Sequence, residues 1–178
     1  MITAEFLENE NRDWGSIRVV SIGSKSHFEI QTIKVGVLKF GKKHLLLHIY
    51  AESQCICFKS LKLSGSYIVV GFGEMVHFIN VESELVVSKK LDGYFGYLYT
   101  PDEFELASSE FSILVASAMH LHHFTFNGEE IWKSKMLGID GVIVEKISLP
   151  VIHVSGEGDP PGGWVPAIIQ LQSGKLKI

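Results

Sequence analysis

Strand-length apolar runs, rather than helical stripes, organise this chain. Val, Ile, Leu, Phe and Tyr gather at residues 35–40, 45–50 and 68–72, and Gly, Ser, Asn and Asp punctuate the gaps. That alternation predicts successive β-hairpins, because β-branched and aromatic residues suit a pleated surface and the small polar ones suit turns. Helical spacing is weak. Only residues 3–12 and 102–111 could hold a turn or two of helix.

The middle of the chain also repeats itself. Ile68-Val69-Val70 falls on Ile113-Leu114-Val115 at an offset of 45 residues, and the same offset carries Val76-His77-Phe78 onto Leu121-His122-His123. It brings Val86-Val87 onto Ile131-Trp132, and Leu91-Asp92-Gly93 reads as a second hairpin matching Ile139-Asp140-Gly141. A third copy lies at residues 168–176, with Gly174 placed 46 after Gly128. Each unit is expected to hold four short strands, 68–72, 75–81, 84–89 and 94–100 in the best-preserved copy. A period of roughly 40–50 residues with four strands is the pattern of a propeller blade.

The segment Phe124-Thr125-Phe126-Asn127-Gly128-Glu129-Glu130-Ile131-Trp132 resembles the quinoprotein (PQQ-like) or WD-type blade, in which a strand ends in a small turn, then Gly, then an apolar residue or Trp. The resemblance spans residues 68–178 and implies a fold, not the quinone cofactor, whose residues have no counterpart here. Residues 35–59 offer three further strands as a degenerate blade. The fold expected is all-β: about four antiparallel four-stranded sheets in one domain, 1–178, either propeller-like or an open stack. Because the last copy stops after its second or third strand, a strand near 17–20 is expected to complete it.

Composition and charge narrow the function. No apolar run approaches the ~18 residues of a membrane span, and the acid-rich N-terminus lacks the pattern of a secretory or mitochondrial signal. A cytoplasmic protein is expected. Cys55 and Cys57 sit two apart on one expected strand, a geometry that disfavours a bridge, so both are expected as free thiols. Residues 1–90 hold 11 Lys/Arg against 9 Asp/Glu, whereas residues 91–178 hold 5 against 11. Residues 91–132 carry seven acids and no Lys or Arg. Such a surface repels phosphate backbones and draws cationic partners, which disfavours nucleic-acid binding, so no nucleic-acid partner is expected.

Recognisable catalysis is missing. The chain has no Gly-x-Ser-x-Gly, His-Glu-x-x-His or Walker sequence. His120 and His122 would share a strand face, as in some metal sites, but no third ligand is evident nearby, and His77 occupies the repeat-equivalent place of His122. Those three histidines could be structural, or could line a central pocket of a small-ligand receptor or hydrolase. The hairpin after residues 151–155 carries about seven extra residues, through Glu157, Asp159, two prolines and Trp164. Insertions in repeat proteins often face the ligand; alternatively Trp164 folds back on its own sheet. The leading expectation is a non-enzymatic module without metal or cofactor. It would bind a basic protein through Asp102, Glu103, Glu105, Glu157, Asp159 and Trp164, as a bacterial immunity protein masks a nuclease toxin.

Overall fold

The structure is a computed structural model that describes residues 1–8, 14, 16–23, 31–51, 58–158 and 162–177. It is all-β, with four sheets, none of them closed into a barrel. Sheet 1 contains β1 (Ile2–Phe6), β2 (Val19–Ile22), β3 (Gln31–Lys39) and β4 (Lys42–Ala51), in the order β1-β3-β4-β2. Sheet 2 runs β5 (Lys59–Ser64), β6 (Tyr67–Phe72), β7 (Met75–Asn80) and β8 (Val86–Lys90). Sheet 3 runs β9 (Phe95–Tyr99), β10 (Ile113–Ser117), β11 (Leu121–Phe124) and β12 (Glu130–Lys133). Sheet 4 has β13 (Val142–Ser148), β14 (Val151–Glu157) and β15 (Trp164–Gln170). All pairings between these strands are antiparallel except β2 with β4.

The 45-residue offset is a true structural repeat. Ile68 faces Ile79 and Val70 faces His77 in sheet 2, while Ile113 faces Phe124 and Val115 faces His122 in sheet 3. Sheet 4 keeps the offset on its third member, where Ile152 faces Ile169. Its β14–β15 hairpin is lengthened at the loop end, so that Glu157 pairs with Trp164.

Period-two burial explains why the central strands read as unbroken apolar runs. Ile68, Val70 and Phe72 enter a core shared with Val35, Val37, Leu47 and Ile49 of sheet 1. Val69, on the opposite face, joins Phe78, Phe95, Ile113 and Val115 between sheets 2 and 3. Leu114 and Ala116 then point the other way, to Val142, Ile152 and Ile169 of sheet 4. A sheet covered on both faces has no polar side to show. The edge strands of successive sheets lie side by side, β1 by β5, β5 by β9 and β9 by β13, so the sheets fan out from one axis.

A repeated device locks each sheet on the one before it. Gly128 has φ +84° and its Cα lies so close to Val87 and Phe78 that a Cβ would come within 2.8 and 2.9 Å of them. Gly174, at φ +65°, presses in the same way on Trp132, 45 residues after Val87. The Trp132 indole N–H then donates to the carbonyl of Leu171 at 2.8 Å. Each turn closes alike, with Asn80, Thr125 and Gln170 donating to the carbonyls of Leu85, Glu129 and Lys175. In sheet 2 the left-handed position is held by Glu84, φ 57°, whose carboxylate lies 2.7 Å from Arg18 of the first sheet's segment.

Several expectations need correction. Residues 94–100 do not end the second unit; β9 opens sheet 3, and β5 takes the corresponding edge of sheet 2. The Leu91-Asp92-Gly93 turn connects two sheets, with Leu91 N–H bonded to Glu74 and Ala118 N–H to Tyr94. Sheet boundaries are thus one strand earlier than the repeat alone suggests. The strand near 17–20 does not complete the last sheet. Instead β2 lies parallel to β4, where Ile22 and Val20 reach the first core. Sheet 4 has three strands, extended by a single bridge from Ile169 to Leu176. Among the described residues, no α-helix forms at 3–8 or 102–111, and residues 9–12 of the first expected helix lie outside them. The first begins as β1, and the second holds only a 3-10 turn, Pro101–Phe104, ended by Glu105 at φ 57°. Cys55 and Cys57 lie outside the described residues. Among the described residues no helix is long and apolar enough to cross a membrane.

Candidate functional site

Two polar regions stand out, and their partners separate them. The histidines form the first. His77 is buried in sheet 2 with Nδ1 2.8 Å from the Ser88 hydroxyl. His123 is buried with its Nε2 accepting the Ser112 N–H at 3.3 Å and its ring edge-on to Trp132. Burial pulls both imidazoles from the ordinary 6.5 down to about 4, so both are neutral core residues at neutral pH. His122 is also lowered: burial outweighs the Glu130 carboxylate 2.7 Å from Nδ1, which favours the charged ring. His120 donates Nδ1–H to the Ser134 carbonyl at 3.2 Å, and its Nε2 lies 3.8 Å from Asp92. Asp92 is already held by Lys133 at 2.6 Å, and that bond keeps its carboxyl below the usual range. Of the acids beside these rings, Glu130 is bonded to His122 and Asp92 to Lys133, whereas His122 Nε2 and His123 Nδ1 are buried without a hydrogen-bond partner among the described residues. Among the described residues no group of three or more His, Cys, Asp or Glu side chains is arranged to hold a metal.

The second region lies at the axis, where β9 and β13 come together. A pocket of about 490 Å³ is lined by Phe58, Tyr94, Gly96, Tyr97, Tyr99, Asp140, Gly141, Val142, Ile143, Glu157 and Trp164. No histidine lines it. Its aromatic walls come from a period-two run: Tyr97 and Tyr99 share one face of β9, with ring centroids 4.9 Å apart. Tyr99 is buried, and its hydroxyl accepts the Val144 N–H at 3.1 Å, which ties β9 to β13. Desolvation raises that phenol further above its ordinary value. Tyr94 stacks on Phe58 at 6.1 Å. Its hydroxyl donates to the Asp140 backbone carbonyl and lies 3.1 Å from the Asp140 carboxylate.

Gly141 makes room for the last wall. A Cβ there would sit 3.1 Å from the Trp164 ring and 3.6 Å from a Glu157 carboxylate oxygen, so the bare backbone leaves both side chains reaching over it. Backbone bonds hold this corner: Ile139 N–H to Glu157 O and Glu157 N–H to Gly141 O, each 2.8 Å. Trp164, Tyr97 and Phe58 remain 47%, 45% and 51% exposed, an unusual clustering for rings of this size. Among the described residues, neither Asp140 nor Glu157 forms a salt bridge.

The residues expected from sequence are distributed unevenly. Glu157 and Trp164 meet at the pocket, and Trp164 is an open wall of it rather than a cover for the sheet core. Glu103 is connected to it indirectly. Its Oε2 lies 3.0 Å from Lys62 Nζ, and that ammonium stands 5.7 Å over the Tyr97 ring. Glu103 also accepts Thr100 N–H at 2.7 Å, capping its own 3-10 turn, so it has a structural job. Asp102 and Glu105 are exposed on that turn. Asp159 lies outside the described residues. Sequence reasoning missed Phe58, Tyr94, Tyr97 and Asp140. The alternate aromatics Tyr97-Leu98-Tyr99 carried a usable signal, but with 94–100 assigned to the wrong sheet their face could not be named. No protein-family model matches the chain, and no curated protein or solved structure matches it significantly.

Proposed function

We propose that this chain is a non-enzymatic cytoplasmic module that binds and masks a basic protein, in the manner of a bacterial immunity protein neutralising a nuclease toxin. One observation carries the reading. The axial pocket combines half-exposed aromatic rings with two carboxylates that no described cation neutralises. Large rings with a polar rim are what protein interfaces use as anchors, and unpaired acids give the surface its sign. His77, His122 and His123, by contrast, are buried and each bonds one ring nitrogen inside the fold, which favours a structural role over hydrolase or receptor chemistry, although His122 Nε2 and His123 Nδ1 have no hydrogen-bond partner among the described residues. No cofactor enters this reading.

The natural test partner is a basic protein encoded beside this chain's gene. Exposed charges speed encounter, whereas a buried aromatic slows escape. Asp102→Lys with Glu105→Lys lowers the association rate roughly tenfold at low salt and flattens its salt dependence. Glu103 is left alone because it caps the 3-10 turn. Trp164→Ala accelerates dissociation and costs about 2 kcal/mol. If neither variant alters binding, or if the purified chain turns over a substrate and loses that activity on replacing His120 and His122, the reading is wrong.

A further inference from the structure

We infer that the axial pocket takes one arginine side chain, the guanidinium lying against Trp164 with Glu157 and Asp140 as its counter-ions. This rests on the reading of the chain as a binder of a basic protein and names what that protein inserts. The occupant must be cationic, since among the described residues the charges lining the pocket are two carboxylates. It must also be flat and weakly hydrated. The pocket's walls are rings, and a guanidinium stacks on an aromatic face while its edge forks to a carboxylate; an ammonium is a strongly hydrated point charge that does neither as well. Three features prepare the place. The absence of a side chain at Gly141 brings the Trp164 ring and the Glu157 carboxylate over the same spot. Tyr94, whose hydroxyl donates to the Asp140 backbone carbonyl and lies 3.1 Å from its carboxylate, holds Asp140 at the pocket wall. Lys62, 5.7 Å over the Tyr97 ring, shows that a ring of this wall already takes a cation, whose charge Glu103 compensates.

The pocket can be tested without the partner, on the intact chain. The readout is the Trp164 indole N–H resonance, identified by its loss in Trp164→Phe; Trp14 and Trp132 are buried and serve as internal controls. The probes are Nα-acetyl-arginine methylamide, its lysine counterpart and its citrulline counterpart, which has nearly the guanidinium's shape and no charge. The arginine probe should shift the Trp164 resonance saturably, with an affinity of about 1–10 mM. Lysine should bind at least about fivefold more weakly, and citrulline should give no saturable shift. Glu157→Gln should weaken the arginine probe about tenfold while leaving Trp132 unmoved. Equal shifts from citrulline and arginine, or no saturable shift from arginine, overturn the inference. If arginine fails while partner association still depends on Asp102 and Glu105, the pocket assignment falls and protein binding stands. If arginine binds but no basic partner needs Trp164, the pocket stands and the masking role falls.

Discussion

The junction between sheets 2 and 3 and the axis beside sheets 3 and 4 are built from the same repeat, yet they finish their polar groups differently. At the junction Phe78 and Phe124 pack at 5.2 Å, His122 has Glu130, and Asp92 has Lys133. At the axis Tyr97 and Trp164 stay half exposed, and Asp140 and Glu157 have no salt-bridge partner among the described residues. Residue type therefore does not mark the site. At the junction the acids are paired and His122 is buried, while the acids and rings at the axis keep charge and surface available. The contrast predicts that changes at the junction move stability and spare binding, whereas changes at the axis do the reverse.

Phe78→Ala should show the largest effect. The ring is fully buried between two sheets and also seats Gly128, so its loss should cost about 3–5 kcal/mol in urea unfolding. The buried histidines come next. Their folded values, about 4, lie below the 6.5 of the unfolded chain. As the pH falls below 6.5, the unfolded chain takes up protons that the native state refuses. Their stabilising contribution is therefore complete above pH 6.5 and is lost as the pH drops toward 4. The loss should approach roughly 3 kcal/mol for His77 and be smaller for the less enclosed, more solvent-screened His123, and His77→Leu with His123→Phe should flatten that part of the stability–pH curve. Gly128→Ala should cost about 2 kcal/mol, from the left-handed backbone and the collision with Val87. Glu84→Gly, at the matching turn, should do the opposite. It relieves a left-handed non-glycine residue at the expense of an ion pair whose Arg18 end is exposed, a net gain of about 0.5 kcal/mol.

Glu84 also shows what the sequence could and could not convey. The repeat was legible because a sheet buried on both faces writes its pairing into consecutive apolar residues, and Ile68–Val69–Val70 and Ile113–Leu114–Val115 carry the same register. At the turn the 45-residue offset puts Ser83 opposite Gly128, one residue too early, since Glu84 fills the glycine's conformational position without looking like one. Where one sheet ends and the next begins was hidden for a similar reason. A hairpin turn and an inter-sheet crossing both use Asp-Gly, and only the bonds of Leu91 and Ala118 tell them apart. Trp164 and Glu157 were found because an insertion broke the period. Tyr97 and Asp140 kept the period and went unnoticed until β9 and β13 were seen side by side.

The most direct measurement is calorimetric titration of the basic partner into two double variants, with their unfolding midpoints recorded alongside. Asp140→Asn with Glu157→Gln should weaken binding about 100-fold, or roughly 2.7 kcal/mol, and leave the midpoint where it is. His120→Ala with His122→Gln should lower the midpoint and bind as the unaltered chain does. Loss of binding in the histidine variant, with full affinity in the carboxylate variant, would contradict the assignment of the axis as the site.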